Sequence, residues 1–286
     1  MKKTLTLLTV LLLAFLYFQR EQSAKEDTPV MDAKAAIVLD AETNKILYEM
    51  NSQEAMPIAS MSKMMTQYIV LDAIKNGDIQ WDTLYQPSAA VFQKTAQPEL
   101  VTLGMSSSST YTVNELFTAM TVISANDAAI ALAEVVSGSE EAFVEVMNVQ
   151  AEKFGLQSAH FINATGLDAG ETNVASARDV AVLARRLIED HPEVLDYTKM
   201  TDFTTSEGIR RWNTNAMLPG MPMAMKGMDG LKTGYTEEAG SCFASTGVFD
   251  GRRIITVVMG AAEDRNQTNP SRFEVTRQLL DEYALN

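Results

Sequence analysis

The stretch Pro57-Ile58-Ala59-Ser60-Met61-Ser62-Lys63-Met64-Met65-Thr66 decides how the chain is read. After Pro57 the pattern becomes helical and stays so to about Lys75, where Asn76-Gly77 supplies a stop. This puts Ser60 at a helix start, where backbone N–H groups lack partners and can face a developing oxyanion. Lys63, three residues on, shares its helix face. A serine hydroxyl attacks poorly unless a base takes its proton. A lysine is a base only when neutral, a state favoured by desolvation and by a nearby cation. The pair alone also fits an ordinary solvated lysine, so two later segments must carry the reading.

Ser124-Ala125-Asn126 falls between apolar helical runs, where a helix break is expected. Ser, Asn and Asp all favour caps, and Asp127 is placed to cap. The functional reading gives Ser124 a hydroxyl that relays a proton and Asn126 an amide that holds a substrate carbonyl. Lys232-Thr233-Gly234-Tyr235 opens the C-terminal β region. On an edge strand Gly234 lets a peptide approach the backbone closely, and Lys232 with Thr233 makes a carboxylate site. The bland alternative for Lys232 is an exposed edge lysine that blocks aggregation.

Outward from these segments the layout is β, then α, then β, then a last helix. Residues 35–40 and 45–50 read as paired strands around an Ala41-Glu42-Thr43-Asn44 turn. Residues 113–136 and 140–154 read as helices, and Ser176 caps a helix to about Asp190 with Asp179 at its third position. Residues 230–236, 241–248 and 252–259 are strands, the last two joined at Phe249-Asp250-Gly251, and a helix from about Ser271 ends the chain. The expected fold is α/β of the α+β type: an antiparallel five-stranded sheet flanked by helices, with an all-α insert and the site in the cleft between them.

Composition excludes several classes. Hydrophobic residues at 46% allow a sizeable core and charged residues at 21% suit a globular domain. A net charge of −14 argues against nucleic acid and supplies no polybasic patch for anionic lipid. The single Cys242 rules out an intrachain disulfide and reads as a small buried strand residue. His160 and His191 are too few for a zinc cluster, and His191 reads as a surface or cap residue, so neither metal nor cofactor is expected. Lys2 and Lys3 before an apolar run at 5–18 read as a signal peptide or N-terminal anchor over 1–24, with a linker at 25–34 and the domain at 35–286. The folded part is therefore expected to work outside the cytoplasm, touching membrane only through that leader if it is uncleaved.

The three segments in this order resemble active-site-serine penicillin-binding proteins and class A β-lactamases. From about Met31 to Leu280 the chain resembles the serine D-Ala-D-Ala carboxypeptidases, low-molecular-mass penicillin-binding proteins of peptidase family S11. Thr165-Gly166-Leu167-Asp168, Arg178-Asp179, Asn213-Thr214-Asn215 and Val257-Val258-Met259-Gly260-Ala261 extend the likeness in order and spacing. The resemblance implies a β-lactamase/transpeptidase-like fold and removal of the terminal D-alanine from peptidoglycan stem peptides. Ser60 would be the nucleophile, Lys63 its base and Ser124 the relay. Asn126 would orient the stem peptide, and Lys232 and Thr233 would hold the terminal carboxylate. The N–H groups of Ser60 and Tyr235 would form the oxyanion hole beside Gly234. β-Lactams would acylate Ser60, and Arg265 would stand near the carboxylate site. Members often add a β-rich C-terminal domain and an amphipathic tail; this sequence stops at Asn286, so neither is expected.

Three rivals share some of these features. A class A-like β-lactamase needs a carboxylate near the middle loop to activate water; Glu171 lies in the region without the Glu-x-x-Leu-Asn spacing. A D,D-endopeptidase acting on cross-links would use the same residues. A non-catalytic muropeptide-binding protein would not need all three segments intact.

Overall fold

The computed structural model describes residues 32–168, 170–262 and 271–285. The leader, most of the linker and Arg265 lie outside them. Five strands form one antiparallel sheet: β1 (Ala35–Asp40), β2 (Ile46–Met50), β3 (Met228–Thr236), β4 (Gly240–Phe249) and β5 (Arg252–Ala261), in the order β2-β1-β5-β4-β3. Between β2 and β3 run helices α1 (Lys63–Asn76), α2 (Ala89–Lys94), α3 (Val113–Val122), α4 (Asn126–Ser137), α5 (Glu140–Phe154), α6 (Ala177–Asp190) and α7 (Val194–Thr198); α8 (Ser271–Tyr283) follows the sheet.

Local chemistry explains the sheet. The Asp40 carboxylate accepts from the N–H groups of Glu42 and Thr43 and folds the β1–β2 turn. Asp250 at φ 48° and Gly251 at φ 77° make the two-residue β4–β5 hairpin, whose left-handed backbone matches strand twist. Ala35 then pairs with Met259, so the first strand closes against the last. Every β1 side chain is buried, which means both sheet faces are covered; α6 and α8 both pack on β1 and β5. Cys242 is buried in β4 as expected, and burial pushes its thiol up to about 11.

The insert is built around α1, which packs against α3, α4, α5 and α6. Its residues from Lys63 to Leu71 are all buried, the signature of a helix surrounded by protein. Gly77 in the left-handed conformation ends it. The helical reading from residue 60 is corrected at its entry: Ala59–Ser62 form a 3₁₀ turn and α1 starts at Lys63. Ala59 sits at φ 46°, incompatible with α-helix, and the Ser62 hydroxyl donates back to its carbonyl at 2.8 Å. His191 is also corrected. It closes α6, but it is fully buried edge-on to Tyr68, and burial holds its imidazole below the usual range.

Ser176 caps α6 in a capping box with Asp179, whose carboxylate also accepts from Gln157 and Ser158. Ser176→Ala is expected to cost about 1 kcal/mol. Thermal unfolding should show Tm lowered by about 2–4 °C; an unchanged Tm contradicts the capping assignment.

Candidate active site

The Ser60 turn is pinned from two sides by backbone. A Cβ at Gly166 would lie 1.9 Å from the Ala59 carbonyl oxygen, and Gly166 has φ 81°. Only a glycine fits beneath the turn. From the other side β3, at the sheet edge, presses its Gly234 against the same turn: a Cβ there would lie 3.0 Å from the Ile58 oxygen and 3.3 Å from the Met61 nitrogen. The nucleophile segment of the insert and the edge of the sheet therefore meet backbone to backbone.

Lys63, 0% exposed, reaches back one turn to place Nζ 3.0 Å from Ser60 Oγ. Nζ also donates to Asn126 Oδ1 at 2.8 Å and to the Thr165 carbonyl at 2.6 Å. Burial first, and then the charge of Lys232, hold its pKa well below the ordinary lysine value. Glu140 and Asp127 oppose that shift. A neutral amine has two hydrogens and one lone pair. With both hydrogens on carbonyl acceptors, the lone pair is left facing the serine hydroxyl, the arrangement of a general base.

Residues 123–125 interrupt the helical run, with Ser124 at φ 65°. Its hydroxyl is buried and makes no hydrogen bond. Asn126 opens α4, and its Nδ2 donates to the Val101 carbonyl at 3.0 Å, leaving one amide hydrogen uncommitted. Asp127 does not serve as the N-cap, which is Ala125 without a side-chain bond. Its carboxylate instead accepts from Leu103 and Gly104 and ties that loop to α4.

On the far wall Lys232 is 1% exposed, which overturns the exposed edge lysine. Its Nζ donates to the Thr233 carbonyl at 3.0 Å, and burial with the nearby Arg272 charge pushes it down to about 7. The Thr233 hydroxyl donates to Thr214 Oγ1 at 2.7 Å. Thr214 lies between two asparagines that brace the site: its N–H bonds Val122 at the end of α3, while Asn215 Nδ2 donates to Gly230 in β3 at 3.4 Å.

These elements enclose a cleft of about 260 Å³. Ser60, Ser124, Asn126, Thr233, Gly234 and Tyr235 all line it, and Lys63 and Lys232 stand behind them. Sequence reasoning missed Glu99 and Arg272, and it named Thr165 and Thr214 only within stretches that extend the likeness, without a role at the site. Arg272 lines the cleft from α8 and donates to Ser241 Oγ at 3.0 Å and to the Gly234 carbonyl at 3.3 Å. A carbonyl leaves no mark in a sequence, and a lone arginine in a terminal helix carries no motif. Among the described residues no cluster of His, Cys, Asp and Glu could hold a metal.

A cleft with a serine, a buried amine in contact with it and a second buried amine opposite defines an active-site-serine hydrolase. The chain belongs to the D-alanyl-D-alanine carboxypeptidase family, peptidase S11, whose pattern matches residues 21–263. The D-alanyl-D-alanine carboxypeptidase DacF of Bacillus subtilis is 33% identical, over 98% of this chain and 70% of its own length. DacC of Escherichia coli is 34% identical, over 91% of this chain and 64% of its own. Among solved structures, the peptidoglycan synthesis regulatory factor PBP3 of Streptococcus pneumoniae superposes with a TM-score of 0.85 at 41% identity, over 89% of this chain and 72% of that one. Penicillin-binding protein D2 of Listeria monocytogenes, in its cefotaxime-bound form, gives 0.78 at 36% identity, over 90% and 98%. The five-stranded antiparallel sheet with its helical insert is thus the fold of penicillin-binding proteins, as expected from the sequence.

Gly166→Ala tests the backbone contact. A displacement of the Ser60 turn by about 1 Å is expected to slow acylation by a fluorescent penicillin about 10²-fold, while circular dichroism reports a retained fold. Labelling at the parental rate contradicts the pinning role.

Proposed function

We propose that this chain is a serine D,D-carboxypeptidase that removes the terminal D-alanine from peptidoglycan stem peptides through an acyl-enzyme on Ser60, and that β-lactams inhibit it by acylating the same oxygen. The observation that carries this reading is the 3.0 Å contact between Ser60 Oγ and a buried Lys63 amine whose other contacts are both acceptors.

The substrate carboxylate lies against Lys232, the Thr233 hydroxyl and Arg272, whose charges fix the chain end. Arg272 lines the cleft, whereas Arg265, which the resemblance put near the carboxylate site, lies outside the described residues. The uncommitted Asn126 amide hydrogen meets a stem carbonyl. Ser60 Oγ attacks the carbonyl of the penultimate D-alanine as its proton passes to Lys63 Nζ. Oxygen charge develops toward the N–H groups of Ser60 and Tyr235, residues that both line the cleft. The proton then travels from Lys63 through the Ser124 hydroxyl to the leaving nitrogen, the C–N bond breaks and D-alanine departs. Water attacks the ester, restores Ser60 and releases the shortened peptide. A β-lactam acylates Ser60 in the same way, but its leaving nitrogen stays tethered and obstructs water.

Supports against the rivals are physical. Glu171 is exposed and does not line the cleft, so it is not placed to activate a deacylating water. The complete constellation argues for chemistry rather than mere binding. Peptidoglycan lies outside the cytoplasmic membrane, so the domain works there, with residues 1–24 as export signal or anchor and residues 35–286 as the catalytic domain. Among the described residues no helix is long and apolar enough to cross a membrane.

A fluorescent penicillin should label the parent chain and not Ser60→Ala, and the parent should release D-alanine from a pentapeptide ending in D-Ala-D-Ala. Labelling of the variant sinks the nucleophile. D-alanine release absent from the pentapeptide, with cleavage of a cross-linked dimer instead, assigns an endopeptidase.

The two lysines also set a pH profile. The base must be neutral, so acylation is expected to fall as pH drops through the lowered pKa of Lys63. The anchor must be charged, so kcat/KM for a carboxylate-ended peptide is expected to fall as pH rises past about 7, where Lys232 loses its proton. A kcat/KM that climbs steadily to pH 10 contradicts both assignments.

A further inference from the structure

Glu140 is the first residue of α5 and is 6% exposed. One carboxylate oxygen accepts the Ala164 N–H at 2.9 Å and the other accepts from Lys94 Nζ of α2 at 2.7 Å. The Ala164 carbonyl in turn accepts from the Thr66 hydroxyl of α1 at 2.8 Å. The residue before the key carbonyl is therefore gripped at its N–H by α5 and at its oxygen by α1. The next carbonyl, that of Thr165, is the one that meets Lys63 Nζ at 2.6 Å. Asn163 Oδ1 accepts from the N–H groups of Thr165 and Gly166 and shapes the loop from within, without fixing it to either helix.

We infer that Glu140 is a positioning residue for the reaction: its carboxylate anchors the 163–166 loop so that the Thr165 carbonyl takes one hydrogen of Lys63 and turns the lone pair toward Ser60. The inference rests on Lys63 being the base. The Ala164 N–H is buried and needs an acceptor, and a carboxylate gives it a stronger, charge-assisted bond than a neutral group would. The helix start also favours the anion.

Placing a carboxylate there has an opposing effect, because negative charge near Lys63 favours the ammonium form. The charges acting on Lys63 come from Glu140 on α5 and Asp127 on α4, which raise its pKa, and from Lys232 on β3, which lowers it together with burial. Lys94 offsets the carboxylate from α2, shared between Glu140 and the exposed Glu141. The loop thus gains a firm anchor whose charge is partly offset and still acts on Lys63.

The signs follow. Glu140→Gln keeps an oxygen acceptor and removes the charge, so Lys63 sheds its proton more readily and the acid limb moves to lower pH. Lys94→Met uncovers the carboxylate and moves it to higher pH. Glu140→Ala removes the acceptor and frees the loop. The experiment measures the acylation rate of the full chain by a fluorescent penicillin from pH 5 to 9, with a thermal melt for each variant. The expected result is a plateau within about threefold of the parent for Glu140→Gln, at least about tenfold lower for Glu140→Ala, and acid limbs displaced in opposite directions by Glu140→Gln and Lys94→Met. Limbs coincident with the parent in both charge variants overturn the inference, whatever the melts show, since a purely structural role lowers Tm without moving a limb. A parent plateau in Glu140→Ala overturns it as well. If Lys63 were not the base, the parent itself would lack the limb, which separates that failure from this one.

Discussion

Two lysine amines buried behind one small cleft are the constraint to which the rest of the site answers. A buried ammonium without full compensation costs several kcal/mol, and two such charges repel each other. Each amine has a different surrounding. Lys63 meets two carbonyl acceptors and a hydroxyl and feels the charge of Lys232. Lys232 lies against the Thr233 carbonyl and beside Arg272, in the opposite wall of the cleft. Burial is the first cause that lowers both amines, and in the proposed reaction it suits one to act as a base and the other as an anchor for an anion. No histidine is needed, because desolvation does what an imidazole does at neutral pH without help.

Holding those amines in place is the work of the architecture around them. Lys63 belongs to a helix enclosed on all sides, so its stem has little freedom. Lys232 belongs to the outermost strand, whose free edge leans on the Ser60 turn through Gly234. Asn213, Thr214 and Asn215 tie that strand to the end of α3, just before Ser124. The insert and sheet are thereby locked where they share the cleft, although they come from different parts of the chain.

Much of this could be read from residue order. Ser176 with Asp179, Gly77 and Asp250-Gly251 marked boundaries by chemistry confined to a few neighbouring residues, and the elements begin or end where those signals stand. The site segments were legible because each pairs a reactive group with a small or turn-forming neighbour. What escaped depends on distant contacts. The 3₁₀ entry before Lys63 follows from Gly166 lying under Ala59, more than a hundred residues away. His191 is buried because Tyr68 of another helix covers it. Lys232 could not be told from a solvated edge lysine until the insert closed over it. Arg272 enters the cleft from a helix whose sequence shows only an amphipathic pattern.

The pairing of β1 with β5 has a consequence for synthesis. Ser60 precedes the whole helical insert, whereas the edge strand that supports its turn, and the strand that closes the sheet against β1, are made well after it. A chain emerging N-terminus first therefore carries Ser60 and Lys63 through most of its elongation without the wall that depresses the amine. Contacts of such long sequence separation form late and slowly. Until those strands dock, Ser60 and Lys63 lack the sheet side of their cleft.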